Sequence, residues 1–203
     1  MIIGLTGGIG SGKSVIAKQL RAMGYAVYDT DSEAKRLIVE DAHVREQITT
    51  LFGKEVYQDG VYQTALVAQQ VFADKSLLAK LNAIVHPAVK QDILRWAQQI
   101  YHSTQHYTTL PHTTPCFVEC AILYQAGFDQ LCDKVVAITA PEHIRLERVI
   151  ARDHSTIDKV RARMRAQEAE RDIERADFVT NNDGSTPIPT LCEEIIRQLT
   201  ESF

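Results

Sequence analysis

Gly7-Gly8-Ile9-Gly10-Ser11-Gly12-Lys13-Ser14 is the stretch that most restricts what this chain can become. It satisfies G-x-x-x-x-G-K-[ST], and its flanks complete the pattern. Met1-Ile2-Ile3-Gly4-Leu5 precedes it, an apolar run short enough for a buried strand. Val15-Ile16-Ala17-Lys18-Gln19-Leu20 follows, with apolar residues at 15, 16 and 20 in helical spacing. Strand, glycine loop and helix in that order make a cradle for phosphate. Glycines let backbone N–H groups turn inward and let phosphate oxygens approach with no Cβ in the way. The helix aims its unpaired N–H groups and the positive end of its dipole at the same anion. Lys13 reaches the outer phosphates as a compact charge, and the Ser14 hydroxyl is a ligand for Mg²⁺. Gly8, Ile9, Gly10, Ser11, Gly12, Lys13, Ser14 and Val15 are therefore the expected residues of a nucleoside triphosphate site.

The whole-chain properties narrow the partners. At 203 residues the chain forms one domain with room for a small inserted lobe. With 22 Lys+Arg against 26 Asp+Glu, the net charge of -4 argues against nucleic acid or an anionic membrane as main partner. No apolar run approaches the ~20 residues of a membrane span. The chain enters a strand at once, so no secretory signal is expected and a cytoplasmic location is. Cys116, Cys120, Cys132 and Cys192 fit no zinc spacing, and reduced, mostly buried thiols are expected.

Beyond the first helix, Gly24 reads as a stop. Tyr25 to Tyr28 reads as a second strand, delivering Asp29-Thr30-Asp31 to its carboxyl end, where ligands sit in open α/β sheets. Asp31 is suited to serve as the base that phosphoryl transfer to a hydroxyl needs. Asp31 or Ser32 also fits the N-cap of the amphipathic segment 33–39, and the two roles are compatible. Residues 41–104 read as largely helical. Val44 to Phe52 is closed by Gly53, Asp59-Gly60 turns, and Leu66 to Phe72 and Leu77 to Val85 are amphipathic. Pro87 suits the first turn of a further helix over 88–101, with His86 capping it or facing a ligand, and Trp96 in the core. His102 to Pro115 reads as a polar linker whose histidines lack metal-binding spacing.

Cys116 to Ala121 reads as a third strand in which Glu119 is the exception to an apolar run. A buried carboxylate needs a partner, and two are open: Mg²⁺, directly or through water, or Lys13. Lys134 to Thr139 is a fourth strand. Pro141 then opens a helix carrying Arg145, Arg148 and Arg152 on one face. Asp153-His154-Ser155 breaks it, and a second basic helix runs through Lys159, Arg161, Arg163 and Arg165 to Gln167. Such a pair suits a lid over triphosphate, although a solvated charged face with Glu142 and Glu147 pairing the arginines has the same pattern. Ala176 to Thr180 is a fifth strand, and 188–199 is a closing helix.

Taken together these residues resemble the dephospho-coenzyme A kinase family, whose members phosphorylate the ribose 3′-hydroxyl of dephospho-CoA with ATP. The resemblance runs from about residue 2 to 200. It is carried by the Gly4–Ser14 loop, by Asp29 and Asp31, and by Leu81-x-x-Ile84-x-His86-Pro87-x-Val89. Arg148, Arg152 and the ending Ala176-Asp177…Asn182 complete it. The resemblance implies that Lys13 and the loop amides hold ATP, that Ser14 helps hold Mg²⁺, and that Asp31 is base or hydrogen-bond acceptor for the 3′-hydroxyl. It further implies that Arg148 meets the moving phosphoryl group, that Arg152 and Asn182 lie near the ATP base or ribose, and that His86 shapes the dephospho-CoA site. Three departures stand out. The usual D-V-P-L-L-F-E reads Glu119-Cys120-Ala121-Ile122-Leu123-Tyr124-Gln125, Lys35 replaces a substrate-side arginine and loses its bidentate fork, and Gln63 replaces another.

The expected architecture is α/β, a P-loop NTPase-type five-stranded parallel sheet of order 2-3-1-4-5 flanked by helices. Residues 1–31, 116–150 and 176–203 form the nucleotide-binding core, 32–104 a helical substrate lobe, and 151–175 the lid. A monomer or weak homo-oligomer acting on ATP, Mg²⁺ and dephospho-CoA is expected. Another small-molecule kinase is the alternative, separable by a panel of acceptors. A nucleotide-dependent switch would turn over ATP with no acceptor dependence.

Overall fold

Four of the five residues of β1 (Ile2–Thr6) are buried, with Ile3 and Leu5 wholly so. Burial without alternation is what a parallel strand covered on both faces requires. In the computed structural model, which describes residues 1–105, 114–167 and 173–201, β1 is the centre of the main sheet. Around it stand β2 (Val27–Asp29), β5 (Cys116–Glu119), β6 (Lys134–Thr139) and β7 (Phe178–Asn181), in the order β2-β5-β1-β6-β7. This is the expected order. Two short strands, β3 (Tyr57–Gln58) and β4 (Val61–Tyr62), pair apart from it as a hairpin across the predicted Asp59-Gly60 turn. The register sets Leu5 beside Glu119 and Thr6 beside Ala137, so the loop leaving β1 emerges between the carboxyl ends of β5 and β6.

The chain divides into two compact units, Met1–Tyr28 with Ala97–Phe203, and Asp29–Trp96. In the first, α1 (Lys13–Ala22) and α8 (Ile188–Glu201) pack against the sheet. Ile16, Ala17 and Leu20 of α1 join Leu191, Cys192, Ile195 and Leu199 of α8 over Ile3, Leu5, Phe117, Val136 and Ile138. Full burial of each leucine or isoleucine there contributes about 1.5–3 kcal/mol. Val15, which the spacing assigns to the apolar face, is 53% exposed, in the first turn after the loop. Asp177 fixes the start of the outer strand pair, accepting from the Val135 N–H at 2.8 Å and from Lys134 Nζ at 3.0 Å.

The same unit holds the hairpin of α6 (Glu142–Asp153) and α7 (Ile157–Ala166). His154, at φ 50°, ends α6 in a left-handed turn. Leu146 and Val149 meet Val160 and Met164 across the pair, and Ile9 of the glycine loop packs on this cluster. Asp153 receives Arg152 at 2.6 Å and Arg163 at 2.9 Å, which holds its carboxyl down at about 2. Glu142 pairs with Arg161 of α7 at 3.5 Å. Residues 168–172 of the expected lid and 106–113 of the expected linker lie outside the described residues.

The second unit contains α2 (Thr30–Glu40), α3 (Ala42–Phe52), the hairpin, α4 (Thr64–Ala73) and α5 (Ser76–Gln105) as far as residue 96. Four expectations change here. The α2 cap is Asp29, not Asp31 or Ser32, because its carboxylate accepts from the N–H groups of both Asp31 and Ser32. No new helix starts at Pro87: α5 runs through it, and the missing donor is tolerated within one buried stripe of Val85, Val89 and Ile93. Trp96 is only partly buried, so these aliphatics and not the indole fill the core, and α5 continues to Gln105 into the expected linker. Among the described residues no helix is long and apolar enough to cross a membrane.

Candidate active site

The glycine loop is shaped by what packs behind it. Gly10 and Gly12 take φ of 80° and 89°, a region that disfavours side chains. A Cβ on Gly10 would lie 2.5 Å from the Arg145 carbonyl oxygen, and one on Gly12 would strike Asn182 Nδ2. The loop carbonyls are held from outside. Asn182 Nδ2 donates to the Ser11 carbonyl at 2.9 Å, and Arg148 Nη1 donates to the carbonyls of Ser11 at 3.3 Å and Gly10 at 3.4 Å. Arg148 is itself anchored by the Asn182 carbonyl at 3.0 Å. In a trans peptide the C=O and N–H point opposite ways, so the Gly12 N–H faces away from Asn182 and Arg148. Lys13 and Ser14 open α1, and their amides have no place in its own ladder. The loop thus offers donors on one side while its acceptors are occupied on the other.

At the base of the loop, Glu119 Oε1 accepts from Lys13 Nζ at 2.8 Å and from Ser14 Oγ at 2.6 Å. The side chains of Lys13 and Glu119 are 12% and 6% exposed, so this ion pair is largely withdrawn from water. Glu119 is the last residue of β5, not an interior one. The strand places it there because β5 and β1 run in parallel register and end together beside the loop. The Lys13 partner that the sequence left open is present. Because the Ser14 hydroxyl spends its proton on Glu119, its lone pairs stay available to a cation.

Beside the loop lies a cleft of about 250 Å³, lined by Gly8, Ser11, Ile138, Thr139, Ala140, Arg145 and Ile173. Arg145 is 8% exposed, and its guanidinium lies where a side chain on Gly8 would have to go. The three arginines of α6 therefore separate. Arg145 is buried behind the loop, Arg148 holds its carbonyls, and Arg152 stands exposed against Asp153. Burial of Arg145 was not legible from a spacing that also suits a solvated face.

Asp31, Lys35 and His86 belong to the second unit. Asp31 follows the carboxyl end of β2 in the first turn of α2, with its side chain exposed and its N–H on Asp29. Lys35 is exposed one turn later. Its neighbour Arg36 is instead engaged, bonding Asp92 of α5 at 2.7 Å and pairing with Glu33. Sequence reasoning passed over Arg36, although its i−3 acid was a visible signal. His86 is half-buried in α5, and burial pulls its pKa below the usual 6.5. Gln63 occupies the N-cap position of α4 with no side-chain capping bond and donates from Nε2 to the Val61 carbonyl, a local role. Cys116, Cys120 and Cys192 are buried cysteines in the reduced form, and burial, with Asp129 and Asp133 nearby, pushes Cys132 up to about 12. Among the described residues no three His, Cys, Asp or Glu side chains converge to hold a metal on their own.

Comparison with known proteins identifies the family. The family model described as dephospho-CoA kinase matches residues 1–187. The dephospho-CoA kinase of Porphyromonas gingivalis is 40% identical over 174 residues, 86% of this chain and 81% of that protein. The crystal structure of TT1252 from Thermus thermophilus superposes with a TM-score of 0.77 at 32% identity, covering 99% of this chain and 97% of the other. A dephospho-CoA kinase from Campylobacter jejuni shares the fold, at a TM-score of 0.71 and 22% identity over 99% and 98% of the two chains. Loop, acidic strand end and whole-length similarity lead to one conclusion: this chain belongs to the dephospho-CoA kinase family.

Proposed function

We propose that this chain transfers the γ-phosphoryl group of ATP to the ribose 3′-hydroxyl of dephospho-CoA, forming CoA and ADP, with Lys13, Asp31 and Arg148 at the centre of the reaction. The observation that carries the reading is the buried Lys13–Glu119–Ser14 cluster beneath the glycine loop. Such a cluster costs free energy to bury and suits a site that receives a polyanion. Within the Gly8–Val15 loop the amides of Ile9, Ser11 and Val15 are spent on Gln167, Gly8 and Gly12 and set its shape. The amides of Gly10, Gly12, Lys13 and Ser14 hold the α- and β-phosphates, and Lys13 turns from Glu119 toward the outer phosphates when nucleotide enters. Asn182 and Arg148 keep the loop carbonyls turned away, and the Arg148 guanidinium leaves those carbonyls to balance charge on the transferred group once nucleotide is bound. Asn182 and Arg152 border the base and ribose.

Ser14 and Glu119 present hard oxygen donors side by side, a set that fits Mg²⁺. When bound there, the ion supplies charge neutralisation on the β- and γ-phosphoryl oxygens. Glu119 orients the Ser14 hydroxyl toward it. Asp31 accepts the proton of the 3′-hydroxyl as that oxygen attacks the γ-phosphorus and the bond to the β–γ bridging oxygen breaks. Lys35 and His86 contribute to the dephospho-CoA side, with His86 neutral at pH 7. Closure of the α6–α7 hairpin keeps water from taking the place of the acceptor. Three buried, reduced cysteines suit work in a reducing cytoplasm.

Asp31→Asn tests the assignment of the base. With the loop untouched, ATP affinity stays within about threefold while kcat falls by about 10²–10⁴, the range of a lost general base. Turnover near that of the parent enzyme removes Asp31 from the mechanism.

A further inference from the structure

Gln167 joins three parts of the first unit. It follows α7, where its N–H donates to the Arg163 carbonyl at 3.1 Å. Its Oε1 accepts from the Ile9 N–H at 2.7 Å, and its Nε2 donates to the Ala121 carbonyl at 3.3 Å. Ile9 is in the glycine loop, and Ala121 lies two residues beyond Glu119. The Ile9 side chain is also packed on Leu146, Val149, Val160 and Met164. The α6–α7 hairpin thus grips one loop residue by its side chain and by its backbone at once. A side chain that accepts with one atom and donates with its neighbour is a carboxamide, and Asn is one methylene shorter.

We infer that Gln167 is a positioning residue for nucleotide binding. It fixes the Ile9 peptide in the loop conformation that receives triphosphate and makes that conformation depend on the docked hairpin. The inference rests on the reading of the loop as the ATP site and adds to it the residue that holds the loop ready. Gln167 touches no reacting atom, so its effect lies in the fraction of molecules competent to bind. Losing that fraction raises the apparent dissociation constant in proportion and leaves the rate at saturation intact. Gln167→Met keeps length and packing and removes both hydrogen bonds. Gln167→Glu keeps the acceptor for Ile9 and loses the donor to Ala121.

The test measures KM for ATP, KM for dephospho-CoA and kcat in the full chain and both variants, with the amide exchange rate of Ile9 by ¹⁵N NMR in the absence of nucleotide. Gln167→Met should raise KM for ATP about 5- to 30-fold, the effect of losing two part-buried hydrogen bonds, while kcat and the acceptor KM stay within about twofold. Ile9 exchange should accelerate by a similar factor. Gln167→Glu should retain Ile9 protection and show the smaller rise in KM. If the methionine variant fails to fold, Gln167→Asn takes its place with the same expectations. An unchanged KM for ATP, a loss confined to kcat, or unaltered Ile9 exchange overturns the inference. A parent enzyme that does not bind ATP overturns instead the reading on which it rests.

Discussion

Glu119→Gln is the substitution whose consequences follow most directly from the geometry. It keeps the shape of the side chain and an acceptor oxygen for Ser14, and it deletes the charge that faces Lys13 Nζ at 2.8 Å. With those side chains 12% and 6% exposed, water cannot replace the missing charge. Breaking a buried pair from one side costs about 3–5 kcal/mol, and the remaining amide oxygen places this change near the lower end. For a chain of this size about 3 kcal/mol lowers Tm by roughly 6–12 °C. Lys13→Met strands the carboxylate instead and should cost a similar amount. The double variant buries neither charge, so its loss should fall short of the sum by about 2–3 kcal/mol. Urea unfolding of the four proteins at pH 7 without nucleotide, followed by circular dichroism, yields this coupling. Additivity within about 0.5 kcal/mol would refute the claim that the two side chains stabilise each other in the resting enzyme.

Gly10→Ala should abolish ATP binding by calorimetry at concentrations that saturate the parent, because its Cβ meets the Arg145 carbonyl oxygen at 2.5 Å in a backbone conformation with φ 80°. Unchanged affinity would show that the loop has another working shape. His86 should titrate below 6.5 by NMR, since burial disfavours its charged form. The unfolded chain then binds the proton first, so the stability contributed by neutral His86 is present above about 6.5 and declines as pH falls toward the folded value. The urea midpoint of the parent should accordingly drop between pH 7.5 and 5.5 by more than that of His86→Gln. A midpoint of titration above 6.5 contradicts this.

The elements legible in the sequence were those with a local chemical cause. The glycine loop, the His154 break and the Gly53 stop follow from residues that act on their immediate neighbours, whereas the strand order, which joins segments more than 100 residues apart, came with the family resemblance. Pro87 misled because a proline is a local signal, whereas the stripe of Val85, Val89 and Ile93 that carries α5 through it is buried by tertiary packing. Asp31 and Ser32 are the caps the local pattern offers, and only the path of the backbone out of β2 makes Asp29 the cap instead. Arg145, Arg148 and Arg152 share a helical face, yet their different fates depend on how close the loop passes to each. Gln167 carries no sequence signal of its own, because both of its partners are main-chain groups more than 40 residues away.

The central claim is that the loop holds a triphosphate and a small alcohol receives its terminal phosphoryl group. The most direct measurement is mass analysis of dephospho-CoA after incubation with the enzyme, ATP and Mg²⁺. The account predicts a product heavier by one phosphate, carried on the ribose 3′-oxygen, with one ADP released per product. ATP consumed while dephospho-CoA keeps its mass, or a phosphate found elsewhere on the molecule, would contradict it.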